Sequence, residues 1–305
     1  HENLIAFSNH HYYEDKLITF PAPQTEDTSV SFHYMTDGIY TMGAGQNVNE
    51  AKAVVADIVA HLKAPSPNGK KLTVGVVTFN QKQQTLIENL LENERRNDPS
   101  IEKWFNDSEL EPVMVKNLDT VQGDERDIMY FSVTFGPTIE GTISMNFGPL
   151  NKDGGERRLN VAITRARNQL KVFSSLRPEQ IDLSRTAKPS VSDFKHFLEF
   201  AERGATSFAR EADATGRPFE SCFEEAVSYE LTRRGWRVRP QVGVAKFRID
   251  LGIVHPDYPG TYLAGVECDG ATYHSAATAR DRDKVREGVL RGLGWEILRV
   301  WSTDW

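Results

Sequence analysis

Cysteine is almost missing from this sequence: Cys222 and Cys268 are the only two in 305 residues. Two thiols make neither a disulfide framework nor a zinc cluster, so a reducing, cytoplasmic setting is the default expectation. No apolar run approaches the ~20 residues that span a bilayer, and no signal-like segment is visible, so no membrane partner is expected. No G-x-x-x-x-G-K-[ST] loop occurs, and the glycine-rich cofactor loop of a small-molecule α/β enzyme is missing as well. Internal repeats and low-complexity tracts are absent. An initiating methionine is also lacking, since the chain opens His1-Glu2-Asn3, which reads as a fragment of a longer protein. Finally, there is no excess of positive charge: the net charge is −7. That sum is unevenly spread, because Lys/Arg and Asp/Glu balance at 13 each from Ala214 to Trp305. Local patches rather than the total decide whether a groove can take nucleic acid.

What is present is a soluble composition, 39% hydrophobic and 26% charged, and a length sufficient for two domains. Apolar spacing predicts a helix over His1–Glu14, a strand at Val30–Tyr34, and a helix capped by Asn49 that runs to about Leu62. Leu72–Phe79 reads as a buried strand backed by an amphipathic helix, Gln81–Arg96. Strands are expected at Val113–Lys116, Asp127–Phe135 and Leu170–Ser174, with helices at Gly155–Arg167 and Val191–Arg203. This order predicts an α/β domain with a mainly parallel sheet over residues 1–203. Residues 204–218 lack periodicity and end in Gly and Pro, the mark of a linker. Residues 219–305 then read as a smaller α/β domain. Its helix, Phe219–Arg234, precedes strands at Arg237–Pro240, Phe247–Val254 and Tyr262–Cys268. A charged helix, Ala276–Leu293, and a last strand, Trp295–Trp301, close the chain.

The stretch Arg248–His274 dominates the smaller domain. Asp250 sits in one apolar strand, and Glu267 and Asp269 close the next. Side chains alternate along a strand, so Glu267 and Asp269 share a face and Cys268 takes the other, where it should be buried and inert. Carboxylates gathered at buried strand ends are costly without a cation among them. The oxygen-only donor set points to Mg²⁺ or Mn²⁺ held by Asp250 and Glu267. Glu224, beside Phe223 and Val227, falls at the edge of a buried helix face. It could equally be a first-turn helix acid without a metal role, while Glu225 should face water. His274 can act as acid/base or touch the scissile phosphate. Lys246, Arg248, Arg280, Arg282 and Arg286 can hold backbone phosphates, although the Arg/Asp alternation over 280–286 also suits a salt-laced helix face. Asp269-Gly270 could be no more than a turn. Tyr273, Trp236 and Trp295 are most simply core.

In the larger domain, Arg158 and Arg165 are seven residues apart, which on a helix would put both on one face able to grip phosphate. A solvated basic helix is the plain alternative. The segments LDTVQGDERD (118–127), RRLNVAITRAR (157–167) and VGVVTFNQKQQ (74–84) nevertheless make a specific set. Residues 1–203 resemble the second RecA-like domain of superfamily 1 helicases of the nonsense-mediated-decay type. The resemblance implies that Arg165 is the arginine finger for a γ-phosphate. It sets Gln122, Gly123 and Glu125 at the seam between two RecA-like domains, with Glu125 near the ribose. Thr120 would lie near the nucleic-acid backbone, and Arg158 would support the same face. The phosphate loop and the Mg²⁺-holding acidic strand belong to the first RecA-like domain, which this sequence lacks. ATP is therefore expected to bind only together with that N-terminal half.

Residues 219–305 carry D-x(16)-E-x-D-G-x-x-Y-H followed by R-D-R-D and G-W-x-x-L-R-x-W. This set resembles the PD-(D/E)XK nucleases, in their very-short-patch-repair-like branch. The lysine usual two places after the glutamate is Asp269 here, and the proton work would shift to His274. Together the two resemblances imply the C-terminal part of a DNA helicase–nuclease, with RNA left open as the nucleic acid. The alternative is a nuclease fold that has lost catalysis and serves the helicase as a nucleic-acid-binding module.

Overall fold

The computed structural model describes residues 2–14, 16–17, 19–21, 23, 29–65, 71–106, 111–204, 219, 221–243, 248–258, 261–269 and 286–305. Contacts divide the chain into two units, Thr28–Ser207 and His1–Asp27 with Phe208–Trp305.

The unit Thr28–Ser207 is built on a five-stranded sheet. Its strands are β1 (Val30–Tyr34), β4 (Val74–Thr78), β5 (Met114–Asn117), β6 (Arg126–Ser132) and β7 (Ala166–Ser174). They lie in the order β1-β7-β6-β4-β5, and every neighbouring pair is parallel. All five residues of β4 are buried, as a strand covered on both faces requires. A short hairpin, β2 (Tyr40–Thr41) and β3 (Gln46–Asn47), leads into α2 (Val48–Lys63). That helix packs Ala51, Val54, Val55, Ile58, Val59 and Leu62 into the core beside Val74, Val76 and Tyr130. Its cap is Asn47 rather than Asn49. The Asn47 side chain accepts the Glu50 N–H, whereas Asn49 lies inside the first turn and its amide reaches the Asp37 carbonyl. α3 (Gln81–Asn97) and α5 (Pro189–Arg203) match the expected helices within two residues.

α4 (Gly155–Ile163) is shorter than its sequence suggests. The Thr164 hydroxyl bonds back to the carbonyls of Asn160 and Val161, and β7 begins at Ala166. The strand pairs with both β1 and β6, so two ladders outweigh the helical propensity of Ala-Ile-Thr-Arg-Ala. Arg165 therefore lies in the turn between helix and strand. It does not share a helical face with Arg158.

The other unit holds α1 (Glu2–Tyr12), α6 (Cys222–Arg233) and a four-stranded mixed sheet. The strands are β8 (Val238–Val242), β9 (Ile249–Val254), β10 (Tyr262–Asp269) and β11 (Ile297–Trp301). Their order is β11-β10-β9-β8, with β10–β11 parallel and the other two pairs antiparallel. Val227 of α6 packs with Leu251, Ile253 and Val266. A second cluster joins Ile249, Leu290, Trp295 and Ile297 with Phe20. Residues 286–292 are helical, and Leu290 within them is fully buried.

Residues 1–27 group by contact with the mixed-sheet unit. The reason is local. The Trp295 indole N–H donates to the Pro21 carbonyl at 2.8 Å, and the Tyr262 N–H to the Pro23 carbonyl at 2.9 Å. Phe20 fills apolar space beside them. Trp295 is core as expected, whereas Trp236 is 38% exposed and is not. Of the expected linker only Gly204 is described, as the C-cap of α5. A Trp295→Phe substitution keeps most of the apolar area but leaves the Pro21 carbonyl unpaired. It should cost about 1–2 kcal/mol in urea unfolding, and an unchanged midpoint would mean that the segment Phe20–Pro23 adds nothing to the unit.

Candidate active site

Period-2 alternation places Glu267 and Asp269 on one face of the mixed sheet. Gly252 of β9 pairs with Gly265 of β10. A Cβ on Gly265 would meet Ile249, Ile297 and Trp295, which marks that side as the one carrying Trp295. Glu267 and Asp269 stand two and four residues from Gly265 and so share its face. Val266 and Cys268 take the other face, against α6. The Asp250 carboxylate accepts the Cys268 N–H at 2.7 Å, which brings it across to β10 beside Glu267.

Each remaining acid meets an arginine. Glu267 lies 3.0 Å from Arg286, in a pair that keeps only 11% and 22% side-chain exposure. Asp269 lies 3.1 Å from Arg299, which also reaches Glu287 at 3.4 Å. Arg286 donates in addition to the Arg248 carbonyl. Burial pushes the Glu267 carboxyl up to about 7; Asp250 and Asp269 push the same way, and Arg286 and Arg299 oppose them. The Cys268 thiol is pushed up to about 12, first by burial and then by Asp250, Glu224, Glu267 and Asp269. Four acids thus act electrostatically on one thiol, and the thiol stays neutral and inert at ordinary pH.

Glu224 is buried in the first turn of α6. Its carboxylate accepts from the Ser221 hydroxyl and the Gln241 amide, each at 2.9 Å, while Ser221 caps the helix by accepting the Glu224 N–H. Ser221-x-x-Glu224 is a capping-box spacing, a signal legible in the sequence. Glu225 is exposed, as expected. Arg299 is a further residue of the site. It pairs in register with Glu267 on parallel strands, and only the strand order reveals that. The Arg248 side chain is exposed. Lys246, His274, Arg280 and Arg282 lie outside the described residues, as do Gly270 and Tyr273.

Among the described residues, no three of His, Cys, Asp and Glu gather closely enough to hold a metal ion. A two-carboxylate set remains. Asp250 and Glu267 are electrostatically coupled, and the buried Glu267 Oε1 is met by the Arg286 guanidinium at 3.0 Å. Two carboxylates with water completing the shell suit Mg²⁺, so the donor chemistry fits.

In the parallel-sheet unit, the loop after β5 is held from beneath. The buried Arg126 guanidinium bonds the Pro112 carbonyl at 3.0 and 3.1 Å and the Glu125 carbonyl at 2.7 Å. Above this anchor Thr120, Gln122, Gly123 and Glu125 are exposed. Gly123 has φ +89 with open space around its Cβ position, so backbone conformation rather than room requires glycine. The Thr120 hydroxyl accepts the Asn117 N–H at 3.1 Å. Arg158 pairs with Asp119 at 2.8 Å, which ties α4 to the loop. Arg165 folds over the end of α4, with Nε 2.8 Å from the Val161 carbonyl and Nη2 3.1 Å from the Thr164 hydroxyl. Arg167, two residues on, pairs with Glu111 and with Asp127 at 3.1 Å. It knits strand starts together, a role that the sequence did not reveal.

A RecA-like parallel sheet in one unit and a restriction-endonuclease-like mixed sheet in the other define a two-part α/β chain. The chain belongs to the AAA_12 family, an AAA domain, which matches residues 1–177. Residues 223–305 match the family described as REase_MTES_1575. Over 318 residues the chain is 37% identical to the uncharacterized ATP-dependent helicase MG140 of Mycoplasma genitalium. It is 28% identical over 324 residues to the MG140 homolog of Mycoplasma pneumoniae. Both alignments cover 99% of this chain but 27% of the relative. No described helix is long and apolar enough to cross a membrane.

Proposed function

We propose that this chain is the C-terminal part of a DNA helicase–nuclease, in which residues 219–305 hydrolyse phosphodiesters with Mg²⁺ or Mn²⁺. The observation that carries the reading is the buried Glu267 carboxylate, which feels the charges of Asp250 on β9 and Asp269 on β10. Asp250 and Glu267 would hold the ion, which would supply Lewis-acid stabilisation and a low-pKa water. Asp269 and Arg299 fix the end of β10. Arg248 offers an exposed cation to a backbone phosphate, and Lys246, Arg280, Arg282 and His274 are assigned to phosphate binding and proton transfer by their sequence pattern. Glu224 supports the site from the cap of α6. RNA shares the same phosphate chemistry and is the other substrate to assay.

Residues 1–203 supply half of an ATP site: Arg165 for the γ-phosphate, Gln122, Gly123 and Glu125 for the nucleotide, Arg158 for support and Thr120 for the nucleic-acid strand. Residues 204–218 link this half to the nuclease. ATP hydrolysis then requires the first RecA-like half of the same protein, and the free thiols of Cys222 and Cys268 suit a cytoplasmic setting. The chain alone should show no ATP turnover above background. Turnover that vanishes in Arg165→Ala would overturn this division of labour.

A second reading has its own support. Asp250, Glu267 and Asp269 are each engaged within the protein, as they would be in a nuclease fold retained only to bind nucleic acid. Plasmid nicking by the chain in Mg²⁺ or Mn²⁺ separates the two. Cleavage lost in Asp250→Ala supports the nuclease, whereas tight DNA binding without cleavage supports the binding module.

A further inference from the structure

Arg286 was expected at the DNA backbone, yet its guanidinium lies on Glu267 and on the carbonyl of Arg248. It thereby spans from β10 to the residue just before β9. The pair is largely desolvated, and a carboxylate in that setting demands a cation. The element carrying Arg286 is fixed: Leu290, one turn along, is buried against Ile249, Trp295 and Ile297. Only the side chain is therefore available to move. Arg299 is differently placed, on β11 between two carboxylates, Asp269 and Glu287.

We propose that Arg286 is a resident counter-cation that occupies Glu267 until DNA arrives, so that substrate binding and metal loading are coupled. A backbone phosphate entering beside Arg248 offers Arg286 a competing anion. Once Arg286 turns to it, Glu267 is free to join Asp250 in holding the ion. Arg286 is thus a positioning residue that keeps the site closed to metal without substrate. This rests on the reading of Asp250 and Glu267 as the metal ligands.

The test measures binding rather than turnover. Mn²⁺ affinity of the 305-residue chain, without DNA, is compared between wild type, Arg286→Met and Asp250→Asn by titration calorimetry. Arg286→Met should bind Mn²⁺ on the order of tenfold more tightly than wild type, because the competing cation is gone. Asp250→Asn should bind weakly. Equal affinity in wild type and Arg286→Met, with loss in Asp250→Asn, would overturn the counter-cation and leave the metal site standing. No binding to either at millimolar Mn²⁺ would overturn the metal site and the proposal together. A second measurement needs no variant. Coupling is reciprocal, so Ca²⁺ should raise the wild-type affinity for a labelled duplex on the order of tenfold over EDTA. Unchanged anisotropy curves would reject the coupling.

Discussion

Replacing Glu267 by glutamine is expected to abolish metal-dependent nicking while making the metal-free protein more stable than wild type at pH 8. The loss of chemistry would follow from removing one of the two carboxylates proposed to hold the ion. It should reach at least about 100-fold, the scale on which one charge-stabilising group acts. The gain in stability follows from burial. The Glu267 carboxyl rises from an ordinary 4.5 to about 7 in the fold, and burial is the largest cause. Between those two pH values the folded state holds the proton more tightly than the unfolded state. Stability therefore declines as pH rises from 4.5 to 7, and the full penalty is present above 7. A shift of that size corresponds to roughly 3 kcal/mol. Glutamine cannot ionise, so the variant lacks this slope, although it also gives up the ion pair with Arg286. Urea unfolding of both proteins at pH 5 and pH 8 in EDTA reads the effect. Parallel pH dependences would show that Arg286 and Arg299 fully compensate the charge, and retained nicking would remove Glu267 from the metal site. Added Mn²⁺ should raise the midpoint of wild type only.

What the sequence revealed and what it hid follow one physical divide. β1 was legible to the residue, because the run Val-Ser-Phe-His-Tyr has strand composition and lies between turn formers. The shared face of Glu267 and Asp269 was legible because period 2 is rigid: once β10 is a strand, the two have no other arrangement to take. The N-cap at Asn47 was legible but passed over, since Asn47-x-x-Glu50 has the capping spacing and Asn49 does not. The end of α4 was not legible. Only the ladders that β7 makes with two distant strands stop the helix at Ile163. The docking of Phe20–Pro23 on Trp295 bridges 274 residues of chain and leaves no periodic trace. Arg286 shows the same limit. Its spacing says helix surface, but the choice between a phosphate and the carboxylate of Glu267 belongs to tertiary structure.

Glu50 is the strongest case of this limit, and its substitution should have the other large effect. In sequence it is an ordinary acid in the first turn of a helix, where the dipole favours it. In the fold it is fully buried, accepting at 2.6 Å from both the Ser132 hydroxyl and the Thr134 N–H. Thr134 has φ +70, a left-handed conformation that a β-branched residue adopts at a cost, so the carboxyl holds a strained turn at the end of β6. Burial outweighs these hydrogen bonds and pushes the Glu50 carboxyl from 4.5 up to about 8. The sign follows as before: the folded state retains the proton, so stability is lost as pH rises from 4.5 to 8, by as much as about 5 kcal/mol. Glu50→Gln keeps an acceptor for Ser132 and Thr134 and removes the ionisation. The variant should unfold at nearly constant denaturant from pH 5 to pH 8.5 in the transition that reports the parallel-sheet unit. Glu50→Ala should instead lose about 3 kcal/mol at every pH, because the hydroxyl and the strained N–H are both left buried and unpaired. If Glu50→Gln retained the wild-type slope, the carboxyl would be charged in the fold and the polar groups around it would dominate over burial. If Glu50→Ala were neutral, Thr134 would hold its turn unaided.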